Sequence, residues 1–263
     1  MKENRLRRIF AGDGRTLIVA MDHAGSMGPL PGLSEPGELL REVTTAGADA
    51  IMTTFGVARR FGKEMGRAAL ILRVDGGTSA LGPREKGHMS QVFRVTDALR
   101  LGADAVACMG FPGPDYESET LPYLAHLAGD CEEWGLPLLA EMLPWGFQPH
   151  PESRSPERVA TAVRIGAEMG ADIIKTQFVG DVETFRRQVI APCYVPVVVL
   201  GGSRMGSDAE VLETVASALD AGAAGVAMGR NIWQHPTPAR MVAALGALIH
   251  GGATAGEALA ELH

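Results

Sequence analysis

Lysine is scarce in this chain. Twenty of its 24 basic residues are arginine, and the lysines are Lys2, Lys63, Lys86 and Lys175. The first three lie in terminal, polar or glycine-flanked stretches where an ammonium stays hydrated. Cysteine is as sparse: Cys108, Cys131 and Cys193 are odd in number and far apart, with no C-x-x-C. That excludes a disulfide scaffold or a cysteine zinc site and fits reduced thiols in a cytoplasm. Aromatic residues make up 5% of the chain, too few to suggest a platform for a base or ring. Basic tracts are missing and the net charge is −7, which argues against nucleic acid and anionic membrane as partners. No apolar run approaches a membrane span, and the basic start at 2–8 has no apolar run behind it, so no secretory leader is predicted. The histidines show no H-x-H or H-x-x-x-H spacing. His126 and His250 fall in helix patterns, and His23 with His88 is the one conceivable metal pair, which nothing else supports. No metal or other cofactor is expected.

What is present is ordinary in amount and regular in order. At 263 residues, 46% apolar and 21% charged, the chain suits one large α/β domain. A short unit recurs: Gly47-Ala-Asp-Ala-Ile-Met52, Gly102-Ala-Asp-Ala-Val-Ala107, Gly170-Ala-Asp-Ile-Ile-Lys175 and Gly222-Ala-Ala-Gly-Val-Ala227. Each follows an amphipathic helix pattern, so each opening glycine reads as a helix C-cap feeding a strand. Between these units lie four more apolar runs, at 16–21, 68–74, 136–142 and 195–200. Eight near-continuous apolar strands alternating with helices predict a parallel sheet covered on both faces. The quarter repeat favours closure into an eight-stranded (β/α) TIM barrel over an open doubly wound sheet. Residues 1–263 then form a single catalytic domain with short N-terminal and C-terminal helical extensions. Ser34, Ser155 before Pro156, Ser207 with Glu210, and Thr254 are the expected helix starts. The polar segments 24–33, 82–89 and 147–154 follow strand ends, where such a barrel carries its active-site loops.

Lys175 differs from the other lysines because it ends an apolar strand. Desolvation there favours the neutral amine that a Schiff-base nucleophile needs, although a strand-end lysine can also snorkel to water. Counting in twos along each strand puts Asp22, then Arg73 and Asp75, then Glu141, on inward faces at the same mouth. Carboxylates so placed can carry the proton transfers of imine chemistry, or simply form an ion-pair network with Arg73. Leu200-Gly201-Gly202-Ser203 and Ala227-Met-Gly229-Arg230-Asn231 end strands seven and eight, where such barrels bind phosphate. Arg230 adds a forked donor. Arg73, Asp75 and His23 are further substrate-binding candidates.

These stretches resemble the archaeal-type class I aldolases. That group includes fructose-bisphosphate aldolase, a heptulosonate-forming aldolase and a thiolase acting on a phosphorylated quorum signal. Ala20-Met-Asp-His23, Leu72-Arg-Val-Asp-Gly-Gly-Thr-Ser79, Asp172-Ile-Ile-Lys-Thr176, Val198-Val-Leu-Gly-Gly202 and Gly229-Arg-Asn-Ile-Trp-Gln234 carry the resemblance over nearly the whole chain. It implies that Lys175 is the Schiff-base lysine and Asp22 a carboxylate assisting it. Gly201, Gly202, Gly229 and Arg230 would clamp a sugar phosphate, and the protein would be a homo-oligomer, often a decamer in the group. Two stretches depart from the pattern. Where relatives carry a strand-five tyrosine followed by Pro-Arg-Gly, this chain has Leu143, Pro144, Trp145 and Gly146, and Gln177-Phe178 stands where tyrosines are common. Leucine moves no proton. Glu141, two residues earlier on the same face, resembles the glutamate of tagatose-bisphosphate aldolases and is expected to serve as acid and base. The implied reaction is reversible carbon–carbon cleavage of a phosphorylated ketose into a dihydroxyacetone phosphate-type ketone and an aldehyde. The alternatives are an acyl- or ketol-transferring relative, such as the phosphorylated-diketone thiolase, and a non-catalytic sugar-phosphate-binding barrel.

Overall fold

A computed structural model describes residues 1–83, 87 and 89–262. Eight strands form a closed barrel in chain order: β1 (Thr16–Ala20), β2 (Ala50–Thr53), β3 (Ala69–Arg73), β4 (Ala105–Gly110), β5 (Leu138–Met142), β6 (Ile173–Gln177), β7 (Val197–Leu200) and β8 (Gly225–Met228). Every neighbouring pair is parallel, and β8 closes on β1 through Thr16↔Gly225 to Val19↔Met228. The expected TIM barrel is therefore the observed one. Two strands start two residues later than their apolar runs, β5 after Pro137 and β7 after Pro196. Proline has no N–H to give the ladder, but both carbonyls still accept, from Val106 and Ile174.

The alternation of faces sorts the strand residues into two cores. Ile18, Ala20, Met52, Ile71, Ala107, Leu139, Ile173 and Val198 fill the barrel interior. Ile9, from the helix Lys2–Ile9, plugs the bottom together with Leu6 and Phe10. The outward residues, such as Leu17, Val19, Leu138 and Ile174, pack under the surrounding helices.

The repeat has a structural cause at both of its key positions. Gly47, Gly102, Gly170 and Gly222 have φ of 106°, 75°, 97° and 103°, a left-handed turn that a Cβ would strain. The aspartate two residues on pins the preceding odd strand. Asp49 accepts from the Leu17 N–H at 2.7 Å, Asp104 from Leu70 at 3.1 Å and Asp172 from Leu138 at 2.8 Å. In the fourth copy Ala224 replaces the aspartate, and only the backbone bond shared by all four copies remains, its N–H donating to the Val197 carbonyl at 2.8 Å. Each carboxylate thus fixes strand register at the bottom of the barrel.

Of the predicted helix starts, Ser155 caps Pro156–Glu168 by accepting from Arg158 N–H, and Thr254 and Glu257 form a reciprocal box. Ser207 caps Asp208–Asp220, but the Glu210 carboxylate turns to the Gly206 N–H instead of completing a box. Ser34 is displaced as a cap: the helix Pro36–Thr45 starts after Glu35, because Pro36 takes the first helical position. A two-stranded antiparallel ribbon, Asp75–Gly76 with Ser90–Gln91, was not foreseen. Part of the expected loop 82–89, including Lys86 and His88, lies outside the described residues. Among the described residues no helix is long and apolar enough to cross a membrane. The three cysteines are free thiols.

Candidate active site

The inward positions at the strand ends converge. β5 and β6 are adjacent, and Glu141 and Lys175 are register partners in the ladder. Their side chains meet, with Lys175 Nζ 3.0 Å from Glu141 Oε1. Arg73, at the end of β3, joins three carboxylates. Its Nε lies 2.7 Å from Asp22, one Nη 2.6 Å from Glu141 Oε2 and the other 3.4 Å from Asp75. The sequence left open whether these residues serve catalysis or only an ion-pair network. The network exists, and Lys175 is wired into it through Glu141. Arg73, Asp75, Glu141 and Lys175 are buried, with Lys175 4% exposed and Arg73 6%, and Asp22 is half-buried.

Burial and charge compete at each group. Burial would raise the Asp22 carboxyl, but Arg73 and then Lys175 outweigh it and hold it down at about 2. Glu141 also stays below the usual carboxylate range, because Lys175 and Arg73 overcome its desolvation. Asp75 goes the other way. Burial dominates over Arg73 and the Met109 N–H, which donates to it at 2.7 Å, and lifts its pKa to about 6. His23 is held below its ordinary value by burial, against the pull of Asp22. Its Nδ1 sits 3.5 Å from Asp22 Oδ1 without hydrogen-bond geometry, and its ring packs edge-on against Trp233.

Two cavities open from this cluster and share His23, Met27, Met109, Glu141 and Lys175. The β2–β3 lobe, about 400 Å³, is walled by Thr54, Gly77, Thr78, Asp22, Arg73 and Asp75. The β7–β8 lobe, about 360 Å³, contains the glycine-rich ends: Gly201, Gly202, Ser203, Gly229 and Arg230. A Cβ on Gly229 would stand 2.5 Å from the Ala20 carbonyl oxygen and 2.7 Å from His23 Cε1, so only glycine lets β8 pass so close to β1. The helix after β8, Arg230–Trp233, is a single turn and supplies backbone N–H groups more than a helix dipole.

Several residues of the site were not singled out from sequence. Asn231 ties the two glycine loops together: its Nδ2 donates to Gly201 O at 3.0 Å and its Oδ1 accepts from Met205 N–H at 2.8 Å. Its place within the Gly229 motif was the available signal. Thr54, Thr78 and Arg154 line the lobes from loops, where no periodicity reports which way a side chain faces. Leu143 lines the β7–β8 lobe, whereas Trp145 turns aside to stack on His150, ring centroids 3.5 Å apart and planes within 5°. Among the described residues no group of three or more His, Cys, Asp or Glu is arranged to hold a metal.

The geometry has counterparts among known proteins. The model of the DeoC/LacD family aldolases matches residues 16–235. The 2-amino-3,7-dideoxy-D-threo-hept-6-ulosonate synthase of Halobacterium salinarum is 39% identical over 260 residues, covering 99% of this chain and 96% of that protein. The 2-amino-4,5-dihydroxy-6-oxo-7-(phosphonooxy)heptanoate synthase of Streptomyces griseus is 38% identical, covering 97% and 93%. An archaeal fructose-1,6-bisphosphate aldolase, solved with its catalytic lysine covalently bound to the carbinolamine intermediate, superposes with a TM-score of 0.86. It is 32% identical, covering 95% of this chain and 99% of that one. Fold, length and sequence agree, and the chain belongs to the DeoC/LacD family of aldolases, the lysine-imine carbon–carbon lyases.

Proposed function

We propose that Lys175 forms an imine with the ketone of a dihydroxyacetone phosphate-type substrate and that the resulting enamine adds reversibly to an aldehyde. The observation that carries this reading is the position of the Lys175 amine, buried where two cavities meet and 3.0 Å from a carboxylate. The ammonium must lose a proton before it attacks, and Glu141 Oε1 lies within reach to take it. Attack on the carbonyl gives a carbinolamine. Returning that proton to its hydroxyl expels water and leaves the iminium, which acts as the electron sink. Removal of a proton from the adjacent carbon gives the enamine. Its addition to the aldehyde forms the new carbon–carbon bond, and the nascent alkoxide takes up a proton. Asp22, held ionised, balances the positive iminium. Glu141 moves the protons that relatives assign to the tyrosine replaced here by Leu143.

The phosphate belongs in the β7–β8 lobe, with Gly201, Gly202, Ser203, Gly229 and Arg230. The aldehyde then enters the β2–β3 lobe, whose described lining adds Arg73 as its sole cation besides Lys175. Arg73 is already bound by three carboxylates, which favours an aldehyde without a phosphate of its own. The two relatives named for 2-amino products support an amino-bearing acceptor.

Enamine formation can be read without knowing the acceptor. Incubation with dihydroxyacetone phosphate in deuterium oxide should exchange one proton of the hydroxymethyl carbon, followed by proton NMR. Absence of exchange, with binding intact, would favour the non-catalytic barrel.

A further inference from the structure

We propose that Arg154 is a phosphate-binding residue of the β7–β8 lobe; this rests on the imine reading above. The lobe is lined by three described cationic side chains, Lys175, Arg230 and Arg154. Lys175 is paired with Glu141; Arg230, at the end of β8, and Arg154, from the loop after β5, are the arginines lining the lobe. Trp145 cannot serve there. It has φ of 58°, lies over Gly113 and stacks on His150, outside the residues lining the lobe.

The loop that carries Arg154 is held on both sides of it. Gln177, at the end of β6, donates from Nε2 to the Ser153 carbonyl at 2.5 Å. The next residue, Ser155, is locked as the helix cap. Pro149 and Pro151 restrict the approach. Glu152, two residues before it in the chain, pairs with Arg158 at 3.1 Å. Gln177 is thus a positioning residue, which gives a physical role to the second departure from the family pattern.

An arginine on a solvated rim makes a screened contact, so its loss should weaken phosphate binding by about tenfold, short of what a buried pair would lose. Calorimetric titration of inorganic phosphate into the wild-type protein and Arg154→Gln tests this without any catalytic step. The dissociation constant should rise about tenfold, and Arg154→Lys should recover part of the loss. Gln177→Leu should raise it too, and should raise KM for exchange of dihydroxyacetone phosphate more than KM for exchange of unphosphorylated dihydroxyacetone. Equal phosphate affinity in wild type and Arg154→Gln, or no phosphate binding by the wild type, overturns the proposal. If the wild type binds phosphate but exchanges neither ketone, the imine reading falls, and the phosphate comparison still decides the role of Arg154.

Discussion

Glu141 and Lys175 are neighbours in the β5–β6 ladder, and their side chains make a 3.0 Å ion pair inside the barrel mouth. The pairing follows from the register: parallel strands stand about 4.8 Å apart, so partners on one inward face are bound to touch. Glu141 is also bonded to Arg73 at 2.6 Å. One carboxylate therefore links the Lys175 amine to the buried cation that organises the other acids.

If Glu141 moves the protons, Glu141→Gln should lower kcat by about 10²–10⁴ while leaving phosphate affinity within a few fold. Steady-state kinetics beside a phosphate titration check both halves. Full turnover in the variant would remove Glu141 from the mechanism.

Arg73 is predicted to be structural as much as catalytic. Arg73→Met leaves Asp22, Asp75 and Glu141 close together without their shared counter-charge, which should cost about 3–5 kcal/mol in urea unfolding at pH 7. The gap from wild type should narrow as pH falls toward 4, because Asp22 and Glu141 lose the cation that depresses them and can then take up protons.

Much of this cluster was legible before any coordinates. Asp22, Arg73, Asp75, Glu141 and Lys175 were found by counting in twos from apolar runs, because strand alternation alone decides which residues face inward. Their pairing was not. That Arg73 reaches three carboxylates depends on how β1, β3 and β5 meet across a closed barrel, which no single strand encodes. The aspartates of the repeat were visible as a motif, yet their bonds to Leu17, Leu70 and Leu138 needed the strand register. The ribbon at Asp75–Gly76 and Ser90–Gln91 has two residues per strand, too few to show a period. Arg154 and Gln177 came together only through the path of a loop.

A remote histidine should set a pH limb of stability. His250 bridges Asp13 at 2.8 Å and Asp49 at 3.0 Å. Burial alone would lower its pKa, but the two aspartates outweigh burial and raise it above the usual 6.5. The folded state therefore prefers the protonated ring. Its stabilisation is complete below about pH 6.5 and is lost as pH rises through the raised folded value. Urea midpoints of wild type and His250→Gln should differ most near pH 6 and converge by pH 9. A difference that grows with pH would contradict the assignment.

The central claim is that Lys175 forms the imine, and borohydride trapping tests it most directly. Wild-type protein is reduced in the presence of dihydroxyacetone phosphate, and the adduct is located by intact mass and peptide mapping. The account predicts one stable adduct per chain, on the peptide containing Lys175 and on none of the other three lysines. An adduct on a different lysine, or none under conditions where the ketone binds, would contradict it.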